Sequence, residues 1–263
     1  PVRGIVKKTA FEHFCGGETI EDSEGVIRKL GSFGVGTILD YSVEGEKTAP
    51  GFVKTLQELV VTLDKAKQSK HIPFSVFKVT GVASSALLEK VQRRDILTES
   101  EKQAWDRVSA RVERICAKAH QYGIPVLIDA EETWIQDPID RLADEMMAKY
   151  NQERAIVFNA YQLYRTTSLA NLREALNNAV KGNYYLGAKV VRGAYMEKER
   201  EQAAKSGYPS PIQPDKEATD KAFNEAMLFC ANNIQRVSVM CGSHNEYSNL
   251  YLMELMRARN IAR

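Results

Sequence analysis

Polar side chains stand where each predicted strand of this 263-residue sequence ends, and together they could form one site for chemistry. A purely structural domain does not need charges there, because a buried charge is costly unless it is paired. Each residue taken alone is also compatible with a structural role. Together they favour a small-molecule site that binds an anionic ligand and stabilises negative charge. The candidates are Asp40, Lys78, Asp129, Asn159, Lys189, Arg192, His244 and Asn245.

Residues 186–195 are the segment around which the other candidates are arranged. A β-branched run ends at Arg192-Gly193 and is followed by charged, helix-favouring residues, which predicts a strand-to-helix junction. In a straight strand Lys189 and Arg192 would point to opposite faces, so they converge only if Arg192 lies in the turn. Gly193 would allow that turn. The alternative is a strand-end arginine whose charged head reaches solvent.

Hydrophobic periodicity predicts strands that alternate with helices along the chain. The predicted strands are 35–41, 74–80, 125–129, 155–161, 186–192 and 237–243. The predicted helices are about 50–68, 84–94, 99–122, about 138–150, 168–180, about 215–232 and about 247–259. Thr98 with Glu101 has the pattern of a capping box, and Asp137 before Pro138 predicts a helix start. Residues 1–34 are predicted to form a helical arm, and 35–263 a single domain.

Alternation of apolar strands with helices predicts an α/β fold built from parallel βαβ units. The two candidates are an open doubly wound sheet and an incomplete (β/α)8 barrel. No Gly-x-Gly-x-x-Gly follows a predicted strand, which weighs against a dinucleotide-binding doubly wound sheet. The barrel is therefore favoured, although a complete one has eight strands and only six are predicted.

Composition and charge exclude several classes of protein. Lysine and arginine number 36 against 34 acidic residues, so the net charge of +2 gives no sign of a nucleic-acid partner. The four cysteines lack the spacing of a zinc site or a disulfide framework, and no metal site is predicted. No apolar run has the length of a spanning helix, and no signal peptide is recognisable. Because the chain begins at Pro1, we expect that an upstream segment, such as a targeting sequence, has been removed.

Five motifs carry a resemblance to a known family. They resemble the motifs of the proline dehydrogenases, the flavoenzymes of proline catabolism, and occur in the same order as in that family. The resemblance is closer to the monofunctional, eukaryote-like branch than to the bifunctional bacterial enzymes. The motifs are Phe-Lys-Val at 77–79, Leu-Ile-Asp-Ala-Glu at 127–131, Asn-Ala-Tyr-Gln at 159–162, Lys-Val-Val-Arg-Gly-Ala-Tyr at 189–195 and Ser-His-Asn-Glu at 243–246.

The resemblance implies a (β/α)8 TIM-like barrel, which in the family continues with two further strands and a final helix. We therefore expect this chain to lack those elements. The implied activity is FAD-dependent oxidation of L-proline to Δ1-pyrroline-5-carboxylate, with electrons passed to a membrane quinone and a peripheral membrane contact. The implied location is the matrix side of the mitochondrial inner membrane in a eukaryote, and the cytoplasm or the inner-membrane surface in a bacterium.

The resemblance also implies a role for each matching residue. Lys78 is expected to contact the substrate carboxylate, Asp129 to orient Lys78, and Lys189 to lie near flavin N5. Tyr195 is expected beside the substrate pocket, although packing at a helix start is the alternative. The implied flavin-binding residues are Ala130, Asn159, Arg192, Gly193, Ala194, Lys216, Thr219, Ser243, His244 and Asn245. For His244 the alternative is a cap of the following helix.

The sequence departs from the family pattern at the substrate carboxylate. The family binds it with adjacent arginines in the final helix, whereas Arg93-Arg94 lies in an early insertion and Arg257 and Arg259 follow the sixth strand. Lys78 alone would bind a carboxylate as a point charge, without the planar fork of arginine. We therefore predict that this chain by itself binds FAD and proline poorly or not at all unless the missing segment is present.

Three other functions remain open at the level of sequence. Oxidation of hydroxyproline is the nearest, since it belongs to the same family. A Schiff-base aldolase could use Lys78 as its nucleophile, because a strand-end lysine in a barrel is suited to that chemistry. A non-catalytic binding or scaffold protein is the third.

Overall fold

A single parallel sheet forms the centre of the protein, and its strands lie in the same order as in the sequence. The computed structural model describes residues 16–17, 19–41 and 46–261. The strands are β1 (Ile38–Asp40), β2 (Phe74–Phe77), β3 (Val126–Ile128), β4 (Val157–Gln162), β5 (Leu186–Val191) and β6 (Val237–Gly242). The predicted alternation of parallel strands with helices is confirmed.

Helices connect the strands and cover one side of the sheet. They are α1 (Ile20–Ser32), α2 (Ala49–Gln68), α3 (Ser85–Arg93), α4 (Glu99–Tyr122), α5 (Thr133–Tyr150), α6 (Ser168–Lys181), α7 (Met196–Ser206), α8 (Lys216–Asn232) and α9 (Glu246–Ala258). The order of these six strands does not reverse, whereas a doubly wound sheet reverses at its switch point, so the arrangement is that of a barrel. Within the described ranges, none of these helices is long and apolar enough to cross a membrane.

Local signals predicted several helix ends correctly. The capping box at the start of α4 is present, since the Thr98 side chain accepts from the Glu101 backbone N–H and the Glu101 carboxylate accepts from Thr98 N–H. Thr19 caps α1, which is the described part of the predicted N-terminal arm. Residues 1–15 and 18 of that arm lie outside the described residues, so the boundary at residue 34 stays a prediction.

The predicted start of α5 was wrong. The helix begins at Thr133, and Pro138 lies inside it instead of at its first position. A proline inside a helix weakens the backbone bonds of the turn before it. Here the Gln92 side chain from α3 replaces them, because its amide donates to the Thr133 carbonyl at 2.7 Å and its oxygen accepts from Asp137 N–H at 3.1 Å.

A second distant residue caps the same helix start. The Glu199 carboxylate, from α7, accepts from both the backbone N–H and the hydroxyl of Thr133, at 2.6 and 2.5 Å. Glu199 is fully buried, so this bond also fixes α7 against the start of α5. Both caps come from residues far away in the sequence, which is why local patterns predicted the start of α5 five residues too late.

Strand β1 is also shorter than the predicted 35–41. Val35 is 49% exposed and Ile38 is 37% exposed, so the apolar residues that suggested a longer strand are not buried at the sheet edge. Strand β2 ends at Phe77, three residues before its predicted end, because residues 79–81 form a 3₁₀ turn. Lys78 therefore lies between the strand and this turn.

The interior of the barrel is arranged in layers, and these layers position the site. Val76, Leu127 and Phe158 are aligned across β2, β3 and β4 and belong to one small buried cluster. Side chains two residues further along a strand point to the same side. Two residues on from Val76, Leu127 and Phe158 are Lys78, Asp129 and Ala160, and Ala160 is paired with Lys189 of β5. An apolar layer thus supports a charged one at the carboxyl end of the strands.

Candidate active site

Two lysines and one aspartate meet in the charged layer. Asp129 Oδ1 accepts a hydrogen bond from Lys189 Nζ at 2.6 Å, and Asp129 Oδ2 accepts one from Lys78 Nζ at 3.4 Å. The three side chains are only 16 to 20% exposed. Counting only the described side chains, two ammonium groups share one carboxylate, so these three residues carry two positive charges and one negative charge. This cluster is therefore suited to binding an anionic group of a small molecule.

This cluster lines a cavity of about 590 Å³, a size typical of small-molecule sites. Every residue for which the family resemblance implied a role, except Asn159 and Thr219, contributes to its wall. The wall consists of Lys78, Asp129, Ala130, Ala160, Gln162, Lys189, Val191, Arg192, Gly193, Ala194, Tyr195, Lys216, Gly242, Ser243, His244 and Asn245. Residues that the sequence predicted to bind ligand therefore form most of the cavity wall.

Arg192 lies in the turn after β5, as convergence with Lys189 requires. Its guanidinium has partners on every side: it donates to Asp220 at 2.6 Å, to Ser243 at 2.8 Å and to Ser248 at 2.9 Å. It also lies over the ring of Phe223, with 4.4 Å between Cζ and the ring centroid. These contacts use the planar fork of arginine, which lysine could not reproduce.

Gly193 makes the turn possible. Its φ is +139°, and a Cβ atom there would lie 2.4 Å from the ring of Tyr164. Both features exclude a larger residue, because the backbone passes close to the Tyr164 ring in a conformation that favours glycine. Tyr195, half-buried, follows at the start of α7 and lines the same space.

The start of α9 opens onto the cavity through residues 243–245. Asn245 is the N-cap, and its side chain accepts from the backbone N–H of Ser248 at 3.0 Å. Ser243 Oγ accepts from Asn245 N–H at 3.0 Å, while His244 is exposed. The cap of this helix is therefore Asn245 and not His244. A helix N-terminus beside a serine and an asparagine is suited to a phosphate group.

A second cavity of about 880 Å³ adjoins the first. It lies between α7 and the loop before α8, and residues 192–195 with Lys216 line both spaces. Thr219 lines only this second cavity, and its hydroxyl bonds to the Asp215 carbonyl of its own helix at 3.1 Å. The Lys216 ammonium is largely exposed and is paired with Asp220. The two cavities together form an elongated space that could accommodate a ligand with two distinct ends.

Two candidates lie outside this space. Asn159 is 1% exposed, and its side-chain amide donates to Asp140 at 2.9 Å on the helix side of β4. Asp40 is exposed and lines a different surface pocket, between α1 and α2. The arginines also lie elsewhere: Arg93 pairs with Asp95 and Arg259 with Asn232, and neither lines the cavities.

Gln162 and Glu131 were not predicted as site residues. Gln162 lines the cavity and accepts from Ala194 N–H at 3.0 Å. Alternation from Phe158 would have found it, because Phe158, Ala160 and Gln162 share one face of β4. Glu131 is 2% exposed behind the wall, and burial raises the pKa of its carboxyl group to about 7.

Sequence comparisons identify what this chain is similar to. A family model described as proline dehydrogenase matches residues 24–263. A carbapenem antibiotics biosynthesis protein, CarD, of Pectobacterium carotovorum is 32% identical over 93% of this chain and 65% of its own length. The mitochondrial proline dehydrogenase 1 of Dictyostelium discoideum is 30% identical over 94% of this chain and 51% of its own length.

Human mitochondrial proline dehydrogenase 1 is 31% identical over 84% of this chain, which covers 36% of the human protein. The chain thus spans less than two thirds of each of these relatives. Among solved structures, proline utilization A from Bdellovibrio bacteriovorus, inactivated by N-propargylglycine, matches with a TM-score of 0.84. That match covers 99% of this chain and 28% of the other at 16% identity, so it shows the fold.

Proposed function

Since this chain belongs to the proline dehydrogenase family, we propose that it oxidises L-proline to Δ1-pyrroline-5-carboxylate with FAD as the cofactor. One observation carries the proposal: Lys78 after β2, Asp129 after β3 and Lys189 of β5 share hydrogen bonds in the charged layer that lines the cavity. The names of the relatives support proline as the substrate.

Lys78 and Asp129 orient the substrate in this proposal. The Lys78 ammonium binds the proline carboxylate, and Asp129 holds that ammonium in place from 3.4 Å. Asp129 already accepts hydrogen bonds from two lysines, so it positions groups and does not act as a nucleophile. The substrate ammonium must lose its proton before the carbon–nitrogen bond can be oxidised, and the open cavity allows release of that proton to solvent.

Bound FAD would accept the hydride from the carbon next to the proline nitrogen. The residues present fit such a group. Lys189, which lines the cavity, would stabilise the negative charge that a bound flavin gains on reduction. The N-terminus of α9, with Ser243 and Asn245, suits the pyrophosphate, and the second cavity beside Thr219 suits the adenosine end.

The electron acceptor is proposed from the family resemblance, and the compartment from the printed names of the relatives. We propose a membrane quinone as acceptor, reached through a peripheral membrane contact. For a eukaryotic source we propose the matrix side of the mitochondrial inner membrane, in agreement with relatives named as mitochondrial. For a bacterial source we propose the cytoplasm or the inner-membrane surface. Hydroxyproline remains the alternative substrate, and the arm at 1–34 with a domain at 35–263 remains the proposed organisation.

The aldolase alternative is less well supported by the geometry. A Schiff-base lysine must be free to attack a carbonyl group, whereas the Lys78 ammonium is in an ion pair with Asp129 at 3.4 Å.

The test is a turnover assay with FAD in excess, an artificial electron acceptor, and either L-proline or hydroxyproline. Nuclear magnetic resonance identifies the product. We expect FAD-dependent formation of Δ1-pyrroline-5-carboxylate from proline. A covalent lysine adduct after borohydride reduction with a carbonyl substrate, and no FAD-dependent product, would contradict the proposal in favour of the aldolase.

A further inference from the structure

A chain of hydrogen bonds joins the ends of four neighbouring strands, starting behind the cavity wall and reaching the wall at Gln162 and Ala194. We call it the latch; its members are Thr80, Glu131, Gln136, Gln162 and the backbone of Ala194. The four latch side chains belong to residues that are between 2 and 4% exposed. Its central residue is Glu131, whose side chain and backbone are both held.

The Glu131 carboxylate holds the turn that follows Lys78. One oxygen accepts from the backbone N–H of Thr80 at 3.0 Å, and the other accepts from the Thr80 hydroxyl. Thr80 is the middle residue of the 3₁₀ turn Val79–Gly81, and Lys78 is the residue that caps this turn. The carboxylate therefore fixes the direction in which the chain leaves Lys78.

The Glu131 backbone is held from two further sides. Its N–H donates to the Gln136 side chain at 2.7 Å, and its carbonyl accepts from the Gln162 amide at 2.8 Å. Gln162 then accepts from Ala194 N–H at 3.0 Å, in the turn after β5. The position of Lys78 is thereby tied to the turn after β5, which also lines the cavity.

A buried carboxylate is an expensive way to hold a turn, because burial favours its neutral form and raises its pKa to about 7. A neutral amide side chain would supply only one of the two acceptor oxygens that Thr80 uses. The hydrogen bonds from Thr80 and, to a smaller extent, the charge of Lys78 oppose this effect of burial and favour the ionised form of Glu131. Glu131 therefore affects Lys78 in two ways, through the turn that its carboxylate holds and through its charge.

We propose that Glu131 is a positioning residue that acts through Lys78 and sets the affinity of the cavity for the substrate carboxylate. This inference rests on the proposed oxidation of proline. Loss of the Glu131 carboxylate releases the turn at Thr80, so the Lys78 ammonium no longer stays beside Asp129. Binding weakens while the chemical step is little affected, so KM rises and kcat changes little.

The experiment compares Glu131→Ala, Glu131→Gln and Thr80→Val, with FAD in excess. We expect a rise in the KM for proline of about tenfold for Glu131→Ala, as loss of a hydrogen bond to a charged group implies, with kcat within about twofold. Glu131→Gln keeps the shape and should restore part of the affinity, and Thr80→Val should show a smaller rise. Glu132→Gln is the matched control, because Glu132 pairs with Lys198 instead of Thr80, and its KM should not change.

A double variant separates positioning from a general structural role. In the Lys78→Met background, Glu131→Gln should raise the KM no further, because the residue through which it acts is gone. An equal rise in KM in both backgrounds would overturn the inference, and so would an unchanged KM for Glu131→Gln and Thr80→Val. In either case, turnover of proline by the wild-type protein would leave the proposed function intact. If the wild-type protein neither oxidises proline nor binds it in a calorimetric titration, the proposed function fails and this inference fails with it.

Discussion

Replacing Asp129 with asparagine should lower the turnover of proline sharply. The substitution keeps the shape of the side chain but removes the charge that two lysines share, at 2.6 Å from Lys189 and 3.4 Å from Lys78. A hydrogen bond to a charged group contributes about 1.5–3 kcal/mol. Only the 2.6 Å contact with Lys189 is a strong hydrogen bond, so we expect the loss of one such hydrogen bond. It corresponds to a decrease of about 10–100-fold in kcat/KM, at about 1.4 kcal/mol per factor of ten.

The assay is FAD-dependent reduction of a dye by proline, with thermal unfolding as a check of the fold. Asp95→Asn is the matched control, because it breaks an ion pair with Arg93 whose side chains are 39 and 56% exposed. Exposed pairs contribute about 0–1 kcal/mol, so the control should keep its activity. A value of kcat/KM for Asp129→Asn within about twofold of wild type would refute the role of the shared carboxylate.

Further predictions concern the cofactor and the stability of the fold. Arg192→Lys should weaken FAD binding about tenfold in a fluorescence titration, since the three hydrogen bonds of the guanidinium cannot all be replaced; unchanged affinity would contradict this. Gln92→Leu should lower the free energy of unfolding, measured by urea denaturation, by about 1–3 kcal/mol, because the Thr133 carbonyl and Asp137 N–H lose their partner. An unchanged free energy of unfolding would show that the start of α5 does not need the Gln92 side chain. Asp144→Asn should stabilise the protein by about 1–2 kcal/mol above pH 7 and not at pH 4. Burial raises the pKa of Asp144 from 3.8 to about 7, so the folded state binds more protons and the wild type loses stability as the pH rises through this window; an equal gain at both pH values would contradict the reasoning.

Local chemistry explains which elements the sequence could predict. The box formed by Thr98 and Glu101 lies within four residues, so the start of α4 was readable. The start of α5 was not, because it depends on Gln92 and Glu199, which lie 41 and 66 residues away from Thr133. Distant partners of this kind leave no local pattern.

The same distinction holds at the site. Motif resemblance identified Lys78, Asp129 and Lys189, whereas their hydrogen bonds depend on the register of strands that are far apart in the sequence. The motif also indicated Asn159, which faces the helices, while Gln162 of the same strand lines the cavity. A resemblance transfers residue types, but the side of the strand is decided by the pleat. That this chain alone binds FAD and proline poorly or not at all stays a prediction.

The most direct test of the account is the absorption spectrum of the protein with added FAD, titrated with L-proline without oxygen. The account predicts that proline bleaches the oxidised flavin, and that Lys78→Met and Asp129→Asn slow this bleaching by about 10-fold or more. A flavin that binds but is not bleached by proline, or that is bleached equally fast in both variants, would contradict it.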